Sequence, residues 1–378
     1  MKLPIYLDCH ATTPVDRRVF DAMAPYFTEV FGNAASTGHA YGRAALEAVT
    51  HARATIARCL NVDPEEIVFT SGATESDNLA IKGVAGLRRQ GHIVTAATEH
   101  KAVLDACRSL AAQGFRVTVL PVDREGFVDP DDVRRALTPD TILVSIMHGN
   151  NEVGTVQDIA AIAAICRERE IPFHTDATQT IGKLPFDAQA LGVDMASLTA
   201  HKMYGPKGIG ALYVRRSCRL CPMLDGGGHE QGLRSGTLNV PGIVGLATAL
   251  EIAVADMPRD IEHTRSLRDR LWDALREVSP TVRINGPDPR TAPERRLPNN
   301  LHVSIEGLEA YQVSEALADV AVSTRSACTS GSAEPSHVLK ALGGCVEGCT
   351  TLRFGVGRCT TAEEINYVVD RLHATVKV

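Results

Sequence analysis

The chain has 378 residues, 44% hydrophobic and 22% charged, with a net charge of −6. That length exceeds the size at which one hydrophobic core stops growing, so two domains are expected. The acidic balance leaves no basic footprint for direct nucleic-acid binding, and no apolar run approaches a membrane span.

The N-terminus has neither a signal-peptide core nor an Arg/Ser-rich transit segment, so a cytoplasmic location is expected. Residues 8–14 read as an extended arm leading to a helix over 16–27, and 32–38 read as a loop. From 43 to 60, apolar residues at 45, 49, 52, 56 and 60 keep the period of an amphipathic helix. A strand over 66–70 runs into Ser71-Gly-Ala-Thr-Glu-Ser76, which opens a helix to about 86. A strand, a Gly/Thr turn and a helix N-terminus together make an anion site from free backbone N–H groups and the helix dipole.

The alternation continues with strands over 92–95, 116–120, 141–147, 172–176, 194–198 and 211–214, and helices over 102–113, 131–137 and 159–169. Strands without internal alternation, joined by helices, predict a mostly parallel sheet covered on both faces. Ligands in such sheets sit at the carboxyl ends of the strands. Thr74, His100, Asn151, Asp176 and Lys202 all follow predicted strand ends. Further on, helices are expected over 242–255 and 260–278, followed by a Pro- and Arg-rich stretch over 280–298. Then come a strand over 300–305, a helix over 309–317, a short strand over 321–323 and a small-residue loop with Cys328. A helix over 335–342, a strand over 351–356 carrying Arg353, and a final helix with Thr360 and Glu363 as its capping box complete the chain.

The ten cysteines are scattered rather than packed as a disulfide framework. Cys218-x-x-Cys221 has metal or redox spacing, but its only counterpart is the distant Cys345-x3-Cys349 and no His pair accompanies either, so free thiols are expected.

The chemistry gathers at Thr199–Gly210, T-A-H-K-M-Y-G-P-K-G-I-G. Glycines and a proline after a single lysine suit a tight loop that fixes one amine beside a ligand. Alone, Lys202 fits a surface turn better than a catalytic role. Together with its strand-end companions it fits a Schiff-base lysine. Asp176 would then face a pyridine nitrogen, and Gln179 would reach the ring hydroxyl. His100 would stack on the ring and move protons. Thr74, the backbone after Gly72, Thr199 and His201 would hold a phosphate.

The motifs are L-D-x-x-A-T-T-P from Leu7, T-S-G-A-T-E-S-D-N from Thr70, T-E-H-K-A-V from Thr98 and N-N-E-V-G from Asn150. After them come D-A-T-Q from Asp176, H-K-M-Y-G-P-K-G-I-G from His201, R-S-G-T from Arg234 and S-A-C-T-S-G-S-A-E-P-S-H-V-L from Ser326. Over essentially the whole chain the sequence resembles the cysteine desulfurases of the NifS/IscS kind. These are a branch of the fold-type I, aspartate aminotransferase-like, pyridoxal phosphate enzymes.

The resemblance implies a large α/β domain over 15–256 with a mostly parallel seven-stranded sheet. It also implies a smaller α+β domain from 1–14 and 257–378. Pyridoxal 5′-phosphate would be held by Lys202, Ala73, Thr74, His100, Asn151, Asp176, Gln179, Thr199 and His201. Thr237 would reach the phosphate across a homodimer interface. Arg353 would clamp the carboxylate of the substrate L-cysteine, with Asn151 and Asn33 nearby. Cys328 would be the nucleophile that carries sulfur as a persulfide to an acceptor protein such as an iron–sulfur scaffold. No metal is implied. Selenocysteine lyase, cysteine-sulfinate desulfinase and aminotransferase activities are the alternatives that keep the cofactor, and a catalytically silent scaffold is the alternative without it. Intact Lys202 and Cys328 argue against the silent scaffold, and Cys328 in its S-A-C-T-S loop against the other enzymes.

Several positions depart from the family pattern, which often has Pro at Ala34, Val at Thr175, Ser at Thr199 and Gly at Arg325. Thr199 keeps a hydroxyl for the phosphate. Thr175 would add a hydrogen bond to Asp176. Arg325 would either favour the Cys328 thiolate or face solvent.

Overall fold

The computed structural model describes residues 2–307, 309–324, 336–344 and 349–376. Cys328, Arg325 and Cys345 lie outside the described residues. In chain order the elements are β1 (Ile5–Tyr6), α1 (Arg17–Met23), α2 (Pro25–Thr28), α3 (Ala40–Leu60), β2 (Ile67–Thr70), α4 (Ala73–Gly86), β3 (His92–Ala96), α5 (Lys101–Ala111), β4 (Arg116–Leu120), α6 (Pro130–Ala136), β5 (Thr141–Ser145) and α7 (Ile159–Glu168). They continue with β6 (Phe173–Asp176), α8 (Ala188–Leu191), β7 (Met195–Thr199), β8 (Gly210–Val214), α9 (Val240–Val278), β9 (Val282–Ile284), β10 (Asn300–Glu306), α10 (Ala310–Ala316), β11 (Val320–Ala321), α11 (His337–Ala341), β12 (Cys349–Gly355) and α12 (Ala362–Val376).

A seven-stranded sheet has the order β2-β8-β7-β6-β5-β3-β4. Its neighbours pair in parallel except at β8, which runs against both β7 and β2. Every residue of β2, β3, β6, β7 and β8 is buried, which explains why none of these strands alternates between apolar and exposed polar residues. One face packs on α3, α7 and the start of α9, the other on α4 and α5. This is the α/β architecture that the resemblance implies. A three-stranded antiparallel sheet, β12-β10-β9, covers a separate apolar cluster with α10 and α12.

The helix α3 buries Ala45, Val49, Ala52, Ile56 and Leu60, the stripe its sequence period predicts. It begins earlier than predicted because the His39 ring caps it, accepting from the Gly42 N–H at 3.2 Å. The predicted helix over 16–27 is instead α1 and α2, with Pro25 opening the second.

Three further expectations are corrected. The helices expected over 242–255 and 260–278 are one 39-residue helix, α9, with Pro258 inside it. Proline gives no N–H to the carbonyl of Val254, but Val254 is exposed and water can meet that carbonyl. The buried stripe also runs through the proline unbroken: Leu250 and Ala253 join the large-sheet core, Leu271 and Leu275 the small-sheet core. The first half of α9 is long and apolar enough to cross a membrane, against the expectation that no run is, yet it packs as a core helix against α3 and α1. The capping box of α12 is Thr361 with Glu364, whose side chains exchange bonds with each other's N–H at 2.8 and 3.2 Å. Thr360 instead accepts from the Gly357 N–H at 3.0 Å.

Candidate active site

The strand ends of the large sheet open into a cavity of about 510 Å³. Ala73, Thr74, His100, Asn151, Asp176, Gln179, Thr199, His201, Lys202 and Arg353 all line it, so most of the residues singled out in the sequence do meet. Asn33 and Thr237 do not. Asn33 caps its own loop, its Oδ1 accepting from the Ala35 N–H at 2.9 Å, and Thr237 is exposed on the loop before α9.

At one end of the cavity the N-terminus of α4 carries no side-chain cap, and Gly72 precedes it at φ +154°. A Cβ on Gly210 would stand 2.8 Å from the Gly72 Cα, so the close approach of β8 to this turn requires glycine. The turn presents unpaired helix N–H groups opposite Thr199 and His201, which fits a phosphate. The His201 ring faces the Thr12 hydroxyl at 3.1 Å, and burial, followed by the charges of Lys202 and Lys207, lowers its pKa to about 4.

Asp176 closes β6 at the cavity wall. It is buried, and its Oδ1 accepts from the Thr178 N–H at 2.9 Å. Among the described residues no cationic side chain pairs with it, so its carboxylate fits the N–H of a protonated ring nitrogen. Beneath it, His174 faces Ser145 at 2.9 Å through Nδ1 and Ser197 at 3.0 Å through Nε2, with Asp77 3.6 Å away. Burial lowers the His174 pKa to about 4 and, with the Asp176 charge, raises that of Asp77 well above the usual carboxylate range. Burial also raises Glu99, whose Oε1 accepts from the Met147 N–H at 2.7 Å. The neighbours of Asp176 are therefore held neutral.

Lys202 sits on the single helical turn after β7, and its amine donates to the carbonyls of His10 at 2.6 Å and Ala11 at 2.7 Å. Gln179 does not simply project towards a ring: its Nε2 donates to the same His10 carbonyl at 3.0 Å and its Oε1 accepts from Lys183 at 3.0 Å. Thr175 does not bond Asp176 either. Its hydroxyl is buried without a partner, because consecutive strand residues face opposite sides of the sheet.

Arg353 reaches the cavity from β12. Its Nη2 donates to Asp8 at 2.8 Å and to the Ser323 hydroxyl at 2.9 Å, its Nη1 to the Asn151 carbonyl at 3.1 Å, and its buried Nε has no partner. An arginine fixed on two sides with an N–H to spare suits a small carboxylate. Sequence reasoning missed Asp8, His10 and Lys183. Asp8 lies inside a quoted motif, but nothing local aims it at a residue 345 positions away.

The described cavity lining contains no cysteine. Burial raises the thiols of Cys9, Cys107, Cys166 and Cys218 to about 12, so these are neutral at physiological pH.

Comparison with known proteins agrees with this geometry. The chain is 53% identical over 374 residues to a cysteine desulfurase IscS of Anaeromyxobacter dehalogenans, covering 98% of this chain and 91% of the relative. It is 52% identical over 383 residues to one of Vibrio campbellii, covering 100% and 93%. Among solved structures, a NifS-like protein superposes with a TM-score of 0.91 at 39% identity, covering 99% of both chains. A structure described as SspA in complex with cysteine superposes at 0.83 with 38% identity, covering 94% of this chain and 100% of the other. Residues 5–368 match the description Aminotransferase class-V, and the chain belongs to that family.

Proposed function

We infer that the chain is an L-cysteine desulfurase that uses pyridoxal phosphate, releases L-alanine and passes the sulfur to acceptor proteins. One observation carries this reading: Lys202, Asp176 and Arg353 meet in one cavity of a chain 53% identical to a cysteine desulfurase over nearly its whole length.

Pyridoxal phosphate, when bound, supplies an electron-withdrawing ring that accepts the pair left by the departing Cα proton of the substrate. The α4 N-terminus, Thr74, Thr199 and His201 would hold the phosphate, and Asp176 would keep the ring nitrogen protonated. Lys202 Nζ would carry the cofactor and take the Cα proton. Arg353 would bind the substrate carboxylate, and His100 would pass protons between substrate and solvent. The Cys328 thiolate would attack the substrate sulfur. As the S–S bond forms, the Cβ–S bond breaks, its electron pair goes to Cβ, and a proton completes the methyl group of alanine. Cys328 then holds the persulfide.

We further propose a homodimer, a cytoplasmic location and an iron–sulfur scaffold as acceptor. The dimer is supported by Thr237 standing exposed away from its own cavity, and by exposed Phe20, Phe27, Phe31 and Tyr41 near a groove between α3 and α9. The division into a large domain over 15–256 and a small one from 1–14 and 257–378 is likewise our reading.

Borohydride reduction of the holoenzyme followed by peptide mapping tests the cofactor assignment. The cofactor is expected on the Lys202 peptide, and its attachment at another lysine would refute the site.

A further inference from the structure

A second lysine stands behind the first. Lys183 follows β6, and its Nζ donates to Gln179 Oε1 at 3.0 Å. The same oxygen faces His10 Nδ1 at 3.2 Å. Gln179 Nε2 donates to the His10 carbonyl at 3.0 Å, and that carbonyl also accepts from Lys202 at 2.6 Å. The His10 carbonyl can only accept and a charged lysine can only donate, so together they set which way the Gln179 amide points. A flipped amide would set its NH2 against the Lys183 amine and its C=O against the His10 carbonyl, two mismatches at once.

We propose that Lys183 is a positioning residue for the Schiff-base lysine: through the Gln179 amide and the His10 carbonyl it fixes the seat of the Lys202 amine. The inference rests on reading Lys202 as the lysine that holds pyridoxal phosphate.

The surroundings of Lys183 give it a second effect. Lys183 and Lys202 line one small chamber together with Tyr204, Asp260, Asn299 and Arg358. The charged groups of that chamber do not neutralise Lys183: Asp260 is paired with Arg358 at 2.8 Å, and burial holds the Tyr204 hydroxyl neutral. From the N-terminal arm, the buried Cys9 thiol is neutral, and burial with the nearby cations keeps His10 neutral as well. His201, on the Lys202 turn, is neutral too. Arg353, from β12, adds positive charge on the side of His10. Among the described residues no carboxylate pairs with Lys183, and burial followed by the Lys202 charge lowers its pKa to about 7. Two amines in one dry chamber cannot both be charged without repelling each other, and here Lys183 is the one that gives up its proton more readily.

The test follows pyridoxal phosphate capture by the apo-enzyme across pH, read as the absorbance of the lysine adduct. With Lys183→Met, the Lys202 amine loses the chain of bonds that seats it, and capture is expected to slow about tenfold. Lys183→Arg, which keeps an N–H donor for Gln179, is expected to restore the wild-type rate. A folded Lys183→Met protein with an unchanged rate, or one that only loses thermal stability, overturns the proposal. Should Lys183→Met not fold, acylation of the wild-type apo-enzyme with limiting reagent decides, read by peptide mass. Unchanged pyridoxal phosphate capture by protein acylated only at Lys183 would overturn it; capture lost in step with acylation of Lys183 supports it. Borohydride mapping of the wild type separates the two failures. Cofactor on another lysine sinks the site, whereas cofactor on Lys202 with an indifferent Lys183→Met sinks only this inference.

Discussion

The two sides of the cavity are built differently. The side proposed to hold the cofactor is made by strand ends of one sheet: Gly72 and Thr74 after β2, Asp176 closing β6, and Thr199, His201 and Lys202 at the end of β7. Each of these side chains is set by a strand buried on both faces, so its position is fixed by the sheet. The side proposed to hold the substrate is made by closure. Asp8 on the N-terminal arm, Ser323 after β11 and Arg353 on β12 meet through bonds of 2.8, 2.9 and 3.0 Å, and β1 pairs with β11 to hold the arm in place. The difference teaches where tolerance lies. A change on the cofactor side removes a function, while a change on the substrate side first loosens an assembly.

Four perturbations sharpen this contrast, beginning with the largest. Lys202→Ala is expected to lower turnover at least about a thousandfold and to abolish covalent cofactor attachment while leaving the fold intact. Alanine release from cysteine and circular dichroism measure both. Arg353→Ala is expected to lower kcat/KM about a hundredfold, mainly through KM, with cofactor absorbance unchanged. It also leaves Asp8 without its cation, at a cost of about 3 kcal/mol of stability seen in denaturant unfolding. Asp8→Asn keeps an acceptor for Arg353 and Ser323, so only about a tenfold rise in KM is expected. A larger effect than that of Arg353→Ala would show that Asp8 touches substrate itself.

The most general effect is on pH. Burial lowers the pKa of His174 on the cofactor side to about 4 and that of His302, beside Arg353, to about 3. Both are neutral in the folded protein and titrate near 6.5 when unfolded. Their stabilising contribution is complete above pH 6.5 and declines as pH falls towards the folded values. The expected loss, per histidine that takes up its proton only on unfolding, is about 1.4 kcal/mol per pH unit. Denaturant midpoints between neutral pH and pH 4 measure it, and a flat profile would mean that the histidines are already solvated.

The same contrast explains what could be read in the sequence. Strand, turn and helix N-terminus lie next to one another along the chain, so the turn at Gly72 and the position of Asp176 at a strand end were legible from local pattern. The α3 stripe was legible for the same reason. The link from Asp8 to Arg353 spans 345 positions and exists only after β1 has met β11. Lys183 was hidden differently: it is four residues from Gln179, but only the folded arm brings the His10 carbonyl between them and Lys202. Pro258 misled because a local rule for ending helices was outweighed by a buried stripe shared by two cores.

The most direct measurement incubates the holoenzyme with L-cysteine in a single turnover, quantifies L-alanine, and maps added sulfur by peptide mass. The expected result is alanine in proportion to enzyme, one extra sulfur on the Cys328 peptide, and neither product from Cys328→Ala, although that variant keeps its cofactor absorbance. Alanine formed at the wild-type rate by Cys328→Ala would contradict sulfur transfer through this residue.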